Sequence, residues 1–175
     1  MAKYGLVLGR FQPFHNGHAS IVDRVLSDKL IPIIVIGSAN KLGPSNPFHP
    51  LQRMEMIKLL YPDAIIFCLD DFDDWDEWLT NLVESIKLLV ISDLTEITVY
   101  THNKPEDLQD FTFRGVEYTN EYYSKLFELD GMSVTNLPIS PIPIRATTIR
   151  ADLEGNKHFL NPLIYNYIKA SNALD

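Results

Sequence analysis

The segment Gly9-Arg10-Phe11-Gln12-Pro13-Phe14-His15-Asn16-Gly17-His18 gathers an arginine and two imidazoles around a tight turn that leads into a helical pattern. Such a turn is a ready anion site. Backbone N–H groups and the positive end of the helix dipole converge on a phosphate there, and imidazoles add donors that follow charge as it develops on phosphate oxygens. Gly17 lets the backbone approach closely. Taken singly, His15 and His18 would serve as turn and cap residues; it is their company that points to phosphate chemistry. Further along, Ile144-Arg145-Ala146-Thr147-Thr148-Ile149-Arg150 opens a short helix, and by itself would be a Thr-capped start with a solvated Arg150.

The elements that must hold these residues are legible in the apolar pattern. Tyr4 to Gly9 and Leu30 to Gly37 are short apolar runs ending in Gly, and Ala64 to Leu69, Ile97 to Tyr100 and Met132 to Leu137 are further strand candidates. Helical stretches lie between several of them, which is a βαβ signature. Helix one starts at His18 and carries Ile21, Val22, Val25 and Leu26, with Asn16 as the capping residue. Helix two runs from Pro50 to Leu60 behind a first-turn proline. From Trp75 to Val90, apolar residues at 75, 78, 79, 82, 83, 86, 89 and 90 make the clearest amphipathic helix. Ala146 to Leu153 reads as a short helix closed by Gly155, and Asn161-Pro162 caps a last helix through Ala170. Ser38 to His49 and His102 to Asn120 read as long loops. The predicted fold is α/β: a Rossmann-like open parallel sheet of about five strands with helices on both faces, binding ligands where loops leave the strands.

Composition narrows the function classes. With 15 Lys and Arg against 23 Asp and Glu, the formal net charge is −8, and the pI is near 5.0. That balance argues against coating nucleic acid or an anionic membrane, both of which need a broad cationic excess. Hydrophobic residues make up 46% of the 175, enough for the full core of one domain. Cys68 is the sole cysteine, so neither an intrachain disulfide nor a Cys-based zinc site is expected, and a reducing cytoplasm fits. Cys68 reads as a buried structural thiol. No signal-peptide pattern opens the chain, and no apolar run approaches the ~20 residues of a membrane span.

GRFQPFHNGH resembles the HxGH signature of the nucleotidyltransferase superfamily. In its longer form it is similar to the nicotinamide-mononucleotide (NMN) adenylyltransferases found alone or fused to Nudix domains. Cytidylyltransferases and the pantetheine-phosphate branch typically open with a GTFD-like form instead. Gly37-Ser38-Ala39-Asn40-Lys41, then Asn46-Pro47-Phe48 and Arg53-Met54-Glu55-Met56-Ile57, resemble the family's GSxxK and NPF…ER…MI blocks, with Gln52 where Glu is usual. Asp70 to Trp78 resembles the acidic, Trp-containing segment that shapes the family's nicotinamide pocket, with Trp78 the better match. An electron-rich indole can stack on a pyridinium cation, although both Trp75 and Trp78 also fit a packed helical stripe. Thr101-His102-Asn103-Lys104 and Tyr122 to Phe127 are similar to GHxKD and YYLxxFP, with Thr101 replacing Gly. Ile144 to Arg150 resembles ISxTxxR, with Arg145 where Ser is usual. Asn161 to Ile168 resembles the last helix, so the matching blocks span nearly the whole chain in family order.

The resemblance implies one nucleotidyltransferase domain over 1–175, without a Nudix domain, that joins ATP and NMN into NAD and pyrophosphate by in-line attack. Arg10, His15, His18 and Arg150 are then the catalytic residues. Gly9, Arg10, Phe11, His15, Gly17, His18, Thr147 and Arg150 would bind ATP, with His18 nearest the reacting phosphate and Thr147 on the distal phosphates. Gln12, Ser38, Lys41, Trp78 and Lys104 would bind NMN, and the family contact at Tyr123 carries over in the same way. Magnesium would ride mainly on the phosphates, without a protein metal ligand. A homo-oligomer, no nucleic acid or membrane partner and a cytoplasmic location complete the expectations. A non-catalytic nucleotide sensor, or a related enzyme preferring nicotinate mononucleotide or CTP, is the alternative.

Overall fold

The computed structural model describes residues 1–89, 93–139 and 143–175. Its strands are β1 (Tyr4–Gly9), β2 (Ile31–Ile36), β3 (Ile65–Cys68), β4 (Ile97–Thr101), β5 (Gln109–Phe113), β6 (Val116–Glu121) and β7 (Ser133–Asn136). Its helices are α1 (Asn16–Ser27), α2 (Pro50–Leu60), α3 (Trp75–Leu89), α4 (Lys125–Leu129), α5 (Ala146–Ala151) and α6 (Pro162–Ser171). Five strands form one sheet in the order β3-β2-β1-β4-β7, with each neighbouring pair parallel. From central β1 the chain builds outward through β2 and β3, then crosses to the other side for β4 and β7. The strand order therefore reverses between β1 and β4, and a crevice opens at their carboxyl ends. The GRFQPFHNGH segment leaves β1 at that place, and Thr101-His102-Asn103-Lys104 leaves β4 there.

Alternation along the strands builds a core on each face of this Rossmann-like sheet. Leu6, Ile33, Val35, Phe67, Ile97 and Val99 pack on one side against Leu79, Leu82 and Ile86 of α3 and Leu126 and Phe127 of α4. Val7, Ile34, Ile36 and Tyr100 face the other side, against Val22 and Val25 of α1, Met56 and Ile57 of α2, and Ile164 and Ile168 of α6. Each such aliphatic or aromatic side chain contributes about 1.5–3 kcal/mol of transfer free energy, so the double-faced burial is what fixes the strand ends. At Gly5 an added Cβ would lie 2.4 Å from Val25 Cγ1; only hydrogen fits where α1 presses on β1.

Several boundaries differ from the sequence reading. α1 begins at Asn16, two residues before His18, because His15 rather than Asn16 is its N-cap. The span His102 to Asn120 is not a loop throughout: β5 and β6 pair antiparallel as a separate hairpin. Arg114 (φ 50°) and Gly115 (φ 75°) turn it, both with the positive φ that matches hairpin twist. Phe111 and Phe113 bury one face of the hairpin on the α3 side, Arg114 N–H donates to Asp76 Oδ1 at 2.7 Å, and the Arg114 guanidinium meets Asp130 at 2.6 Å. Helix α4 was not anticipated. α5 stops at Ala151, before the expected Leu153, because Asp152 leaves the helix and its Oδ1 accepts the Gly155 N–H in a turn. In α3 the buried stripe is Trp78, Leu79, Leu82, Val83 and Ile86, while Leu89 is exposed and Val90 lies outside the described residues. Asn161 caps α6 as expected, accepting Leu163 N–H at 2.9 Å. Cys68 is half-buried at the end of β3 rather than enclosed, and burial pushes its thiol pKa up. No helix among the described residues is long and apolar enough to cross a membrane.

Candidate active site

At the start of α1 the usual Ser or Asp cap is replaced by imidazole. His15 Nδ1 accepts the Gly17 N–H at 3.1 Å, and His18 Nδ1 accepts the His15 N–H at 3.2 Å, a reciprocal capping box built from two histidines. A neutral imidazole whose Nδ1 accepts carries its proton on Nε2, so each ring presents an Nε2–H donor. The rings stack at 3.7 Å between centroids, 19° from parallel. Phe11 meets His18 edge-on at 4.9 Å and Phe14 lies 5.5 Å from it, so apolar walls close on the pair. Burial lowers the His15 pKa to about 4, and burial, then the neighbouring His15 and His102, hold His18 well below its ordinary value. Both rings are thus uncharged donors near neutrality. An added Cβ at Gly17 would come within 2.8 Å of His15 Cε1, so the glycine sets the ring position.

Two clefts open onto this entrance. One, a cavity of about 310 Å³, is bordered by Arg10, His15, His18, Lys104, Arg145 and Arg150, with Phe11, Gln12 and Thr147 also on its wall. Its character is cationic, and Glu106 and Asp107 are the carboxylates on its rim. Arg150 reaches back to donate to Gln12 O at 2.7 Å; burial, then Arg10, lowers its pKa. The other, about 510 Å³, runs along the far side of β1 between Gly9, Ser38, Asp71, Trp75, Trp78 and Tyr123. Aromatic rings form its wall: Trp75 stacks on Tyr123 at 6.3 Å and meets Trp78 edge-on at 5.5 Å. The Asp71 carboxylate accepts from Ser38 Oγ at 3.0 Å, while the Asp71 backbone carbonyl accepts from Asn40 Nδ2 and its N–H donates to Asn40 Oδ1. Burial pushes the Tyr123 phenol up to about 12, so it stays a neutral donor. Arg10 borders both clefts.

The structure thus gathers Arg10, Phe11, His15, His18, Thr147 and Arg150 around one cleft, with Gly9 on the other and Gly17 beneath His15. Of the residues expected for the mononucleotide, Ser38 and Trp78 line the aromatic cleft, Gln12 and Lys104 line the cationic one, and Lys41 is exposed outside both. Gln12 is buried, and its amide is spent on Phe48, donating to its carbonyl at 3.0 Å and accepting its N–H at 2.9 Å. Trp78 is only 8% exposed, whereas Trp75 is half-exposed and offers more of its ring to the cleft. The Trp75 position and the Asp71 carboxylate were not singled out by sequence; the acidic run before α3 was their only signal. Among the described residues no cluster of three or more His, Cys, Asp or Glu could hold a metal ion.

A family model described as cytidylyltransferase-like matches residues 6–151, which takes in both clefts and the histidine pair. The chain belongs to the cytidylyltransferase-like family. Among the relatives of this family member, the nicotinamide-nucleotide adenylyltransferase of Thermococcus kodakarensis is 48% identical over 58 residues, covering 33% of this chain and 31% of that one. The match therefore spans about a third of that relative's length. Among solved structures, a bifunctional NMN adenylyltransferase/ADP-ribose pyrophosphatase from Francisella tularensis superposes over 97% of this chain and 49% of its own, with a TM-score of 0.73 at 22% identity. A second structure of that bifunctional protein, complexed with AMP and a manganese ion, covers 98% of this chain and 53% of its own, with a TM-score of 0.67 at 19% identity. The family member described here shares their fold.

Proposed function

We propose that this protein is an adenylyltransferase that joins ATP and NMN into NAD, releasing pyrophosphate. The observation that carries the reading is the position of Arg10, which borders a cationic cleft suited to a triphosphate and an aromatic, acidic cleft suited to a pyridinium ring. A reaction between two phosphates needs such a shared cation where they meet. The nicotinamide-nucleotide adenylyltransferase of Thermococcus kodakarensis and the bifunctional NMN adenylyltransferase of Francisella tularensis support the same activity.

In this reading a 5′-phosphate oxygen of NMN attacks the α-phosphorus of ATP, the new P–O bond forms, and pyrophosphate leaves with the electron pair of the bond that breaks. The substrate supplies the nucleophile, so the protein has to align two anions and stabilise charge on the transition state. His15 and His18 donate through Nε2–H, with His18 nearest the reacting phosphorus; Arg10 and Arg150 neutralise the oxygens around it. Thr147, at the start of α5, holds the distal phosphates. The pyridinium ring of NMN sits against Trp75 and Trp78, and Asp71 adds charge complementary to that ring. Magnesium, held by phosphate oxygens and water, would supply further neutralisation, with Glu106 and Asp107 the carboxylates nearest that cleft.

The deciding measurement is pyrophosphate release by the purified protein with Mg²⁺, ATP and NMN. Controls omit NMN, replace ATP by CTP, or replace NMN by nicotinate mononucleotide. NAD formed only with ATP and NMN supports the proposal. ATP binding without pyrophosphate release would replace it with a nucleotide-binding sensor, and faster turnover with CTP or the nicotinate substrate would reassign the specificity.

A further inference from the structure

Arg53, on α2, is 0% exposed and forms no ion pair with a carboxylate among the described residues. Its Nη1 donates at 2.8 Å to two carbonyls, Arg10 O at the exit of β1 and Gly37 O at the exit of β2. Nε and Nη2 are buried without a hydrogen-bond partner. Burying a guanidinium this way is costly, and strand packing alone would be served better by an apolar side chain.

What the guanidinium holds explains its presence. The carbonyl of Arg10 belongs to the peptide plane that sets φ of Phe11, and the carbonyl of Gly37 to the plane that sets φ of Ser38. Phe11 (φ 53°) and Ser38 (φ 49°) are both non-glycine residues in the sterically disfavoured left-handed region. Phe11 borders the cationic cleft and packs on His18, while Ser38 borders the aromatic cleft and bonds Asp71. The Gly37 N–H also donates to Gly9 O at 2.8 Å, so the two strand exits are tied directly as well. One charged donor thus pins both strained turns, with the strength that charge gives a hydrogen bond. Burial disfavours the charged form of Arg53, and the neighbouring Arg10 cation lowers its pKa further.

We propose that Arg53 is a positioning residue that couples the two clefts, fixing through the Arg10 and Gly37 carbonyls the turns that shape the ATP side and the NMN side together. The ligand assignment rests on the function proposed above. The test is calorimetric titration of the full chain with ATP and, separately, with NMN, for wild type, Arg53→Met and Arg53→Lys. Arg53→Met should weaken both ligands at least fivefold, and Arg53→Lys, which keeps a charged donor on a shorter stem, should regain part of both losses. A loss below fivefold for either ligand in folded Arg53→Met overturns the proposal. Should Arg53→Met fail to fold, Arg53→Lys decides: parallel losses of at least twofold uphold it, and an unchanged affinity for either ligand overturns it. Wild-type protein that binds ATP but not NMN removes the proposed reaction instead. Arg53 is then judged by backbone chemical shifts at Phe11 and Ser38, which should leave the left-handed range together in Arg53→Lys; shifts unchanged at either residue overturn the coupling.

Discussion

The imidazole of His15 stacks on that of His18 at 3.7 Å, and each ring has given its Nδ1 lone pair to a backbone N–H of the same helix start. The cap that fixes the helix also fixes the tautomer. Both outward nitrogens are donors as a result, and no rotation of either ring can offer a phosphate a lone pair without breaking the cap.

Replacing His18 by Ala should lower kcat by about 10²–10³, as expected for loss of one donor aimed at transition-state charge. The same change removes one half of the capping box, which costs about 1 kcal/mol of stability. Steady-state kinetics beside a urea melt separate the two effects. A kcat within about threefold of wild type would remove His18 from the reaction.

Protonation of this pair should be visible in both stability and binding. With the His15 pKa at about 4 in the fold and about 6.5 in the unfolded chain, the unfolded state binds more protons between those values. Stability is therefore fully present above about pH 6.5 and falls as pH drops towards 4. His18 is depressed for the same main reason, burial, and acts in the same direction. Thermal melts across pH 4–7 should show this slope, and His15→Asn should flatten it. A bound triphosphate favours the imidazolium forms, so ATP binding near pH 5.5 should take up protons. Calorimetry in buffers of different ionisation enthalpy reads that uptake directly.

The indoles of α3 should separate by role. Trp78 is packed in the core, so Trp78→Ala should cost about 3–5 kcal/mol in a urea melt. Trp75 is half-exposed on the cleft wall, so Trp75→Ala should cost less stability and raise the KM for NMN about tenfold, the effect of losing one desolvated cation–aromatic contact. Equal KM values for Trp75→Ala and wild type would place the pyridinium ring elsewhere.

Arg145 caps α5 without a side-chain hydrogen bond to the helix and borders the cationic cleft. Arg145→Ser should weaken ATP binding about fivefold, the value of an exposed charge pair near 1 kcal/mol, and should reduce its dependence on salt. ATP titrations at low and high ionic strength provide the comparison. Tighter ATP binding by Arg145→Ser would mean that the arginine obstructs the phosphate site.

Strands such as Ile33-Ile34-Val35-Ile36 were readable because a central parallel strand is buried on both faces and leaves an unbroken apolar run. The hairpin was not, because its buried face consists of Phe111 and Phe113 among polar residues, and its turn is Arg114-Gly115 instead of the commoner Asn-Gly. His15 and His18 could be singled out because they share one turn at a helix start, whereas Arg150, by itself a solvated arginine, is marked only by the resemblance to ISxTxxR. The resemblance favours Trp78 over Trp75; both lie on one helical stripe, and only the cleft shows that Trp75 offers more of its ring. Arg53 shows the limit most clearly: its partners are 43 and 16 residues away, and no local pattern marks which carbonyls a buried guanidinium will find.

Among the described residues the β5–β6 hairpin leaves unpaired strand edges beside a fully parallel sheet, and such edges are a template for intermolecular association. Its outer strand is guarded. Asp110 accepts the Asn120 N–H at 2.7 Å across the register shift between the two strands, and Glu117 stands exposed with Glu121 partly exposed on β6. An incoming strand at this edge would meet acidic side chains, so pairing there carries an electrostatic cost.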